Sequence, residues 1–336
     1  MRSIRRCCLT LFCCFWPFAT AAFDIMALSV QLGPERTIRG PFDDELDNPF
    51  VVVRLKSGQF RGFSANGATY AIHGATPTDM SGQRIKVLDK GAKGTAAECG
   101  RWINSVIPRA DGRLLGFVHV ERYCGSSARK SMAMAVSKDE GLTWRMIGRF
   151  VVGTERFTPG KVTGEGDCGV VDGSDGYYYA YCLRQTDWRT IVARAPVAKP
   201  SPGRWRKWYE GEWSRRGRYG NATPLGDVGT SVARWVEQDA ILLLTVDPYF
   251  GGVKLSIATG DKTSFVTYPV PIIPLEGNPW IRPAPGALAA YPSMLNPING
   301  TNQVNNTFDL CYVYVPPGAD FDQRYLVCRE MRLGKK

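Results

Sequence analysis

Four carboxylates stand where their neighbours leave room for chemistry. Gly164-Glu165-Gly166-Asp167 spaces two acids with glycines, which lets backbone and ligand approach closely. In His119-Val120-Glu121-Arg122, His119 and Glu121 are two residues apart and share one side of an extended strand. Asp47-Asn48 lies just ahead of Pro49 and an apolar run. Two carboxyls, one protonated and one ionised, are what acid–base cleavage of a glycosidic bond requires. Each group also has a plainer reading. Asp47 can serve as a turn residue, Glu165 and Asp167 can belong to a simple turn, Glu121 and Arg122 can pair with each other, and His119 can sit in the core. Other chemistries have less to stand on. The chain has two histidines, no cysteine pair at zinc-ligand spacing, no Ser/His/Asp order and no phosphate-cradling glycine loop, so no metal or cofactor is expected.

These acids are carried by strands. From Phe50 onward the chain alternates short apolar runs with Ser57-Gly58, Asn66-Gly67 and Asp111-Gly112 turn signals, and almost nothing has helical period. The runs fall into four-strand groups of about 45–60 residues, an internal repeat of antiparallel meanders. The last group, from Tyr291 to Met331, is one strand short, and the Ala27–Leu32 run is the candidate to complete it. A meander cannot bury both faces alone, so the groups must stack as blades around an axis. The expectation is an all-β, five-bladed β-propeller of four-stranded antiparallel blades spanning 22–336 as one domain. Six cysteines remain beyond residue 21, an even number that suggests disulfides. The turn positions pair them as Cys99–Cys124, Cys168–Cys182 and Cys311–Cys328.

Ser137-Lys138-Asp139-Glu140-Gly141-Leu142-Thr143-Trp144 reads S-x-D-x-G-x-T-W and resembles the Asp-box (BNR repeat) of sialidases and other propellers. Its spacing describes a turn stapled by Asp139 and lidded by Trp144, a mark of fold more than of catalysis. Leu255–Phe265 looks like a decayed copy. With five blades the chain resembles arabinanase-, xylosidase- and fructosidase-type glycoside hydrolases, and more weakly the six-bladed sialidases. By blade position, the first resemblance implies Asp47 as base and Glu165 as general acid, with Glu121 and Asp167 tuning or replacing it. A structural calcium ion at the axis is compatible with such a ring. Arg101, Trp102, His119, Arg122, Trp188, Tyr249 and Tyr291 are the candidate substrate contacts, the aromatic ones as sugar-stacking platforms. The sialidase alternative makes Tyr291 the nucleophile and needs three arginines on a carboxylate, for which Arg101, Arg122 and Arg282 are available; no R-I-P segment supports it.

The first 21 residues read as a signal peptide, with Arg2, Arg5 and Arg6 before an apolar run and Ala19-Thr20-Ala21 as the cleavage site. That implies a secreted or periplasmic protein without a membrane span. Cleavage takes three arginines and leaves 39 basic and 31 acidic side chains, a formal +8. The densest basic stretch, Arg204–Arg218, is interleaved with Trp205, Trp208, Tyr209 and Trp213. Export argues against nucleic acid, so the expected partner is a poly- or oligosaccharide, with an anionic one in view of this charge. A different-class alternative is a non-catalytic propeller holding a glycan or a protein. An enzyme needs carboxylates from separate blades about 5–10 Å apart; acids turned away into ion pairs favour the binder.

Overall fold

The computed structural model describes residues 23–42, 47–245, 252–277 and 280–336. The signal-peptide reading and Tyr249 lie outside them. Strands β1 (Leu28–Leu32) and β2 (Arg36–Phe42) lead into a first sheet of β3 (Val51–Arg54), β4 (Phe60–Asn66), β5 (Ala68–Gly74) and β6 (Ile85–Leu88). The second meander is β7 (Gly100–Pro108), β8 (Leu114–Arg122), β9 (Arg129–Ser137) and β10 (Arg145–Val152). The third is β11 (Thr163–Asp172), β12 (Tyr177–Arg184), β13 (Arg189–Pro196), β14 (Arg206–Tyr209) and β15 (Glu212–Arg216). Then come β16 (Ser231–Trp235), β17 (Ala240–Leu244), β19 (Leu255–Thr259) and β20 (Val266–Thr267), with β18 (Gly252–Val253) and β21 (Ile273–Pro274) forming a separate ribbon. The last sheet holds β22 (Leu288–Leu295), β24 (Thr307–Val315) and β25 (Arg324–Lys335), while the two-residue β23 (Gln303–Val304) runs parallel to β16. Among the described residues there is no α-helix.

The inner strands β3, β7, β11, β16 and β22 neighbour one another in that order, and β22 returns to β3. All of them line a narrow axial channel of about 40 Å³. The strands are apolar on both sides because each sheet is covered on both faces: β17 reads Ala-Ile-Leu-Leu-Leu and is buried throughout. β1 pairs antiparallel with β25, Leu28 opposite Lys335 through Leu32 opposite Met331, which supplies the outer strand missing from the last group. β2 also docks on β25, and β15 adds a further strand to the third sheet. Neither was legible, since both are rich in arginine and lack apolar alternation.

All three disulfides join the expected partners. Cys311 lies directly opposite Cys328 in the ladder, and Cys168–Cys182 spans β11 and β12. Cys99–Cys124 closes beyond the paired ends of β7 and β8, because the hairpin pairs one residue off the expected register from Pro108 opposite Leu114 and an irregularity between Ile103 and Ser105 shifts it once more. The Ser137–Trp144 turn joins β9 to β10. Asp139 accepts from the Thr143 N–H (2.9 Å) and hydroxyl (2.6 Å), and the Trp144 indole donates to the Gly141 carbonyl at 3.1 Å. Asp261 staples the corresponding turn between β19 and β20 through Thr263.

If β1 closes the last sheet, Leu28→Ala should destabilise the protein by about 2–4 kcal/mol, because its buried side chain packs in the core between the fourth and last sheets. Denaturant unfolding checks this; an unchanged midpoint would mean that β1 contributes no closure.

Candidate active site

Three carboxyls from three successive sheets, Asp47, Glu121 and Asp167, share Lys130 as a charged neighbour. Asp47 precedes β3 and is placed by its neighbour. The buried Asn48 amide donates to the Ile103 carbonyl and accepts from the Ala65 N–H, tying the first sheet to the second. Glu121 and His119 project from the end of β8, as their spacing implies. Asp167 sits at a left-handed φ of 51° where β11 breaks register between Gly166 and Gly169.

The glycines act differently from the sequence reading. Gly164, at φ 94°, pairs with Lys130 across the parallel contact of β9 and β11, where an added Cβ would stand 2.2 Å from the Lys130 carbonyl. A Cβ on Gly166 would meet the His119 ring at 2.7 Å. These residues let strand approach strand, and so bring Asp167 onto groups of the second sheet. Lys130 Nζ then lies 3.0 Å from Asp167 and 3.6 Å from Glu121. The nearest oxygens of the two carboxylates are therefore no more than 6.6 Å apart.

His119 bridges the same pair. Its Nδ1 accepts the Asp167 N–H at 2.9 Å, which leaves Nε2–H to donate to Glu121, also at 2.9 Å. That assignment follows from the hydrogen-bond pattern: a backbone donor aimed at Nδ1 requires a lone pair there. The buried Trp102 ring stands edge-on to the imidazole at 5.4 Å and fixes its plane. Gln185 donates to Asp167 at 3.2 Å.

The environments drive the carboxyls apart. Burial alone would raise Glu121 and Asp167. The His119 hydrogen bond and the Lys130 charge outweigh it at Glu121, and the Lys130 charge with the Lys130 and Gln185 hydrogen bonds outweighs it at Asp167, so both are held below the usual carboxylate range. Asp47 goes the other way: burial raises it, and the Tyr291 hydrogen bond and the Lys130 charge only partly offset that. The Tyr291 hydroxyl donates to Asp47 Oδ1 at 3.0 Å, from a residue at φ 51° in an irregularity of β22. Burial and the neighbouring carboxylates push Tyr291 well above the ordinary phenol.

Asp47, Glu121, Asp167, His119 and Tyr291 are thus brought together, and Glu165 is not. Its side chain is 3% exposed and lies 2.5 Å from the fully buried Lys207 Nζ. Lys207 aims hydrogen bonds at the Val152 and Gly220 carbonyls, so the contact with Glu165 is a charge pair without an aligned hydrogen bond. The general-acid role that the resemblance implied for Glu165 is corrected on that ground. Trp102 is corrected from sugar platform to ring support, while Trp188 keeps an exposed face, at 42%. Arg101 donates to the Asp89 carbonyl, Arg122 covers the Tyr123 ring, and Arg282 donates to the carbonyls of Gly286, Pro316 and Ala319. They do not converge as a carboxylate clamp. Sequence reasoning missed Lys130 and Gln185, since a lone lysine or glutamine in a strand carries no signal of its neighbours. It also missed the Tyr123–Phe157 stack, with centroids 4.0 Å apart, beside the end of β8. Among the described residues no group of His, Cys, Asp and Glu is spaced to hold a metal ion.

No protein-family model matches the sequence, and no curated protein matches it. Solved structures do. A family 117 glycoside hydrolase from the marine bacterium Zobellia galactanivorans superposes with a TM-score of 0.59 at 8% identity, over 93% of this chain and 92% of that one. A thermostable family-43 glycoside hydrolase gives 0.52 at 10% identity, over 92% and 94%. An α-L-arabinofuranosidase from Podospora anserina, solved with cellotriose, gives 0.52 at 9%, over 88% and 95%. At these identities the likeness is one of fold: the chain is an all-β propeller similar to those of glycoside hydrolases.

Lys207→Met should cost about 3–5 kcal/mol by stranding Glu165, and adding Glu165→Gln should recover part of it. Thermal or denaturant unfolding of the single and double variants reads this out. A harmless Lys207→Met would show the pair to be idle.

Proposed function

We propose that this is an exported glycoside hydrolase built on a five-bladed propeller, with Asp47, which the resemblance implied as base, reversed to proton donor because burial raises it, and the Glu121/Asp167 pair as the ionised partner. The observation that carries the reading is the split within one group: a carboxyl pushed up by burial stands near two that are held down by Lys130 and His119. Opposed environments of this kind assign acid and base. In the step, Asp47 gives its proton to the glycosidic oxygen as the C–O bond breaks. Asp167 or Glu121 meets the positive charge at the anomeric carbon, directly or through a water that it deprotonates. Tyr291 holds Asp47 in place, and Trp188 and the Tyr123–Phe157 stack offer apolar faces to the sugar. The substrate is an oligo- or polysaccharide; structural neighbours named for arabinan and other glycoside cleavage support that class. The signal-peptide reading and three disulfides support a secreted or periplasmic site of action.

One observation favours a second reading, a non-catalytic glycan-binding propeller: Glu121 and Asp167 are both ion-paired to Lys130. Turnover on a panel of polysaccharides and aryl glycosides separates the two. The hydrolase reading expects activity that falls about 10²–10⁴-fold in Asp47→Asn and in Asp167→Asn. Binding without turnover by the unmodified protein would leave the second reading.

The pH profile follows from the same split. Activity needs Asp47 protonated, so it falls as pH rises through a value above the ordinary 3.8. It needs Glu121 and Asp167 ionised, so it also falls as pH drops through values below 4.5 and 3.8. A bell with an acidic optimum is expected. Because the Tyr291 hydrogen bond lowers Asp47, Tyr291→Phe should move the alkaline limb to higher pH and retain turnover. Complete loss of turnover in a folded Tyr291→Phe protein would instead favour Tyr291 as nucleophile.

A further inference from the structure

We infer that the outer edge of the third sheet is a second carbohydrate site, apart from the funnel, that binds a polysaccharide bearing carboxylate or sulfate groups. The inference rests on the carbohydrate reading for its choice of polymer, but on its own residues for the charge. On three adjacent strands Arg194 lies opposite Arg206, and Arg206 opposite Arg216. Like charges directly opposite one another destabilise a sheet unless something neutralises them. Among the described residues no carboxylate does so. Among the described residues none of Arg194, Arg204, Arg206, Arg215, Arg216 and Arg218 forms an ion pair, although Glu210 and Glu212 belong to the same hairpin.

The guanidinium groups are also held. Arg194 stacks 4.1 Å over Tyr177 and 4.4 Å over Trp213, and Arg215 stacks 4.6 Å over Tyr209. Arg206 donates to the Gly203 and Trp205 carbonyls. Stacking fixes the plane of a guanidinium and presents the N–H edge of the exposed Arg215 to the two oxygens of a carboxylate or sulfate, while Arg194 also hydrogen-bonds Tyr179. Arg204, Arg216 and Arg218 are exposed around these anchored groups. Beside them Tyr219 is 56% exposed, its hydroxyl accepting from Arg149, and it offers a face on which a sugar ring can lie. A strand edge guarded only against pairing needs scattered charge, not three arginines in cross-strand register, one of them stacked and one tied to backbone carbonyls.

The test is retention of the full protein on immobilised polygalacturonate and on dextran sulfate, with uncharged dextran as blank. The unmodified protein should bind at about 0.05 M NaCl and elute by about 0.5 M, as screening grows. Arg204→Gln, Arg216→Gln and Arg218→Gln together should weaken binding about tenfold or more. The control Arg54→Gln, Lys138→Gln and Lys335→Gln changes net charge equally and should stay within about twofold of the unmodified protein. Preference for the first polymer assigns a carboxylate ligand, and for the second a sulfate ligand. Equal loss in the two triple variants, no retention on either polymer, or tighter retention on duplex DNA at the same salt would each overturn the inference. Asp167→Asn should bind both columns normally. A protein that is retained but hydrolyses no sugar would leave this site standing and the funnel reading fallen.

Discussion

The parallel contact between β9 and β11 is the constraint on which the site depends. At Gly164 and Gly166 the approach leaves no room for a side chain, since an added Cβ would strike the Lys130 carbonyl or the His119 ring. Once the strands touch, Asp167 has no free choice of surroundings. Its N–H reaches His119, its carboxylate reaches Lys130, and both of those groups already face Glu121. A hydrogen-bonded, charge-balanced cluster then stands where separate sheets would otherwise leave unpaired acids, which a largely enclosed site would not keep ionised.

The third sheet repays that approach on its other side. Bringing β11 against the second sheet also buries Glu165, and Lys207 from β14 meets it at full burial. Lys207 in turn caps carbonyls of β10 and of the loop after β15, so the outer strands are tied to the same seam. Two acids separated by one glycine therefore end in unlike roles. Asp167 enters a solvent-reachable group whose members differ in their hold on protons. Glu165 becomes half of a buried pair with no route to a substrate.

The antiparallel meanders and all three disulfides were legible because they rest on short-range signals, and the place of the Ala27–Leu32 run because the last group was one strand short. Asp111-Gly112 turns the chain, apolar runs mark buried strands, and cysteines flank the hairpins. The convergence of Asp47, Glu121 and Asp167 was legible too, since position within a meander decides which end of the ring a residue occupies. Partner identity was not. Glu165 and Asp167 look equivalent in Gly164-Glu165-Gly166-Asp167, and only the register break after Gly166 separates their directions. Lys130 sits in Arg129-Lys130-Ser131 with nothing to distinguish it from a solvated lysine. Its importance comes from a strand contact made with residues more than thirty positions later in the chain.

One funnel holds its carboxyls under opposite pressures, Asp47 pushed toward the protonated form and Glu121 and Asp167 toward the ionised one. Carboxyl-carbon NMR titration of the full protein, with Asp47→Asn, Glu121→Gln and Asp167→Asn used to assign the signals, tests it most directly. Asp47 should titrate above the ordinary aspartate value of 3.8, and Glu121 and Asp167 below 4.5 and 3.8. Asp47 titrating at or below Asp167 would contradict it.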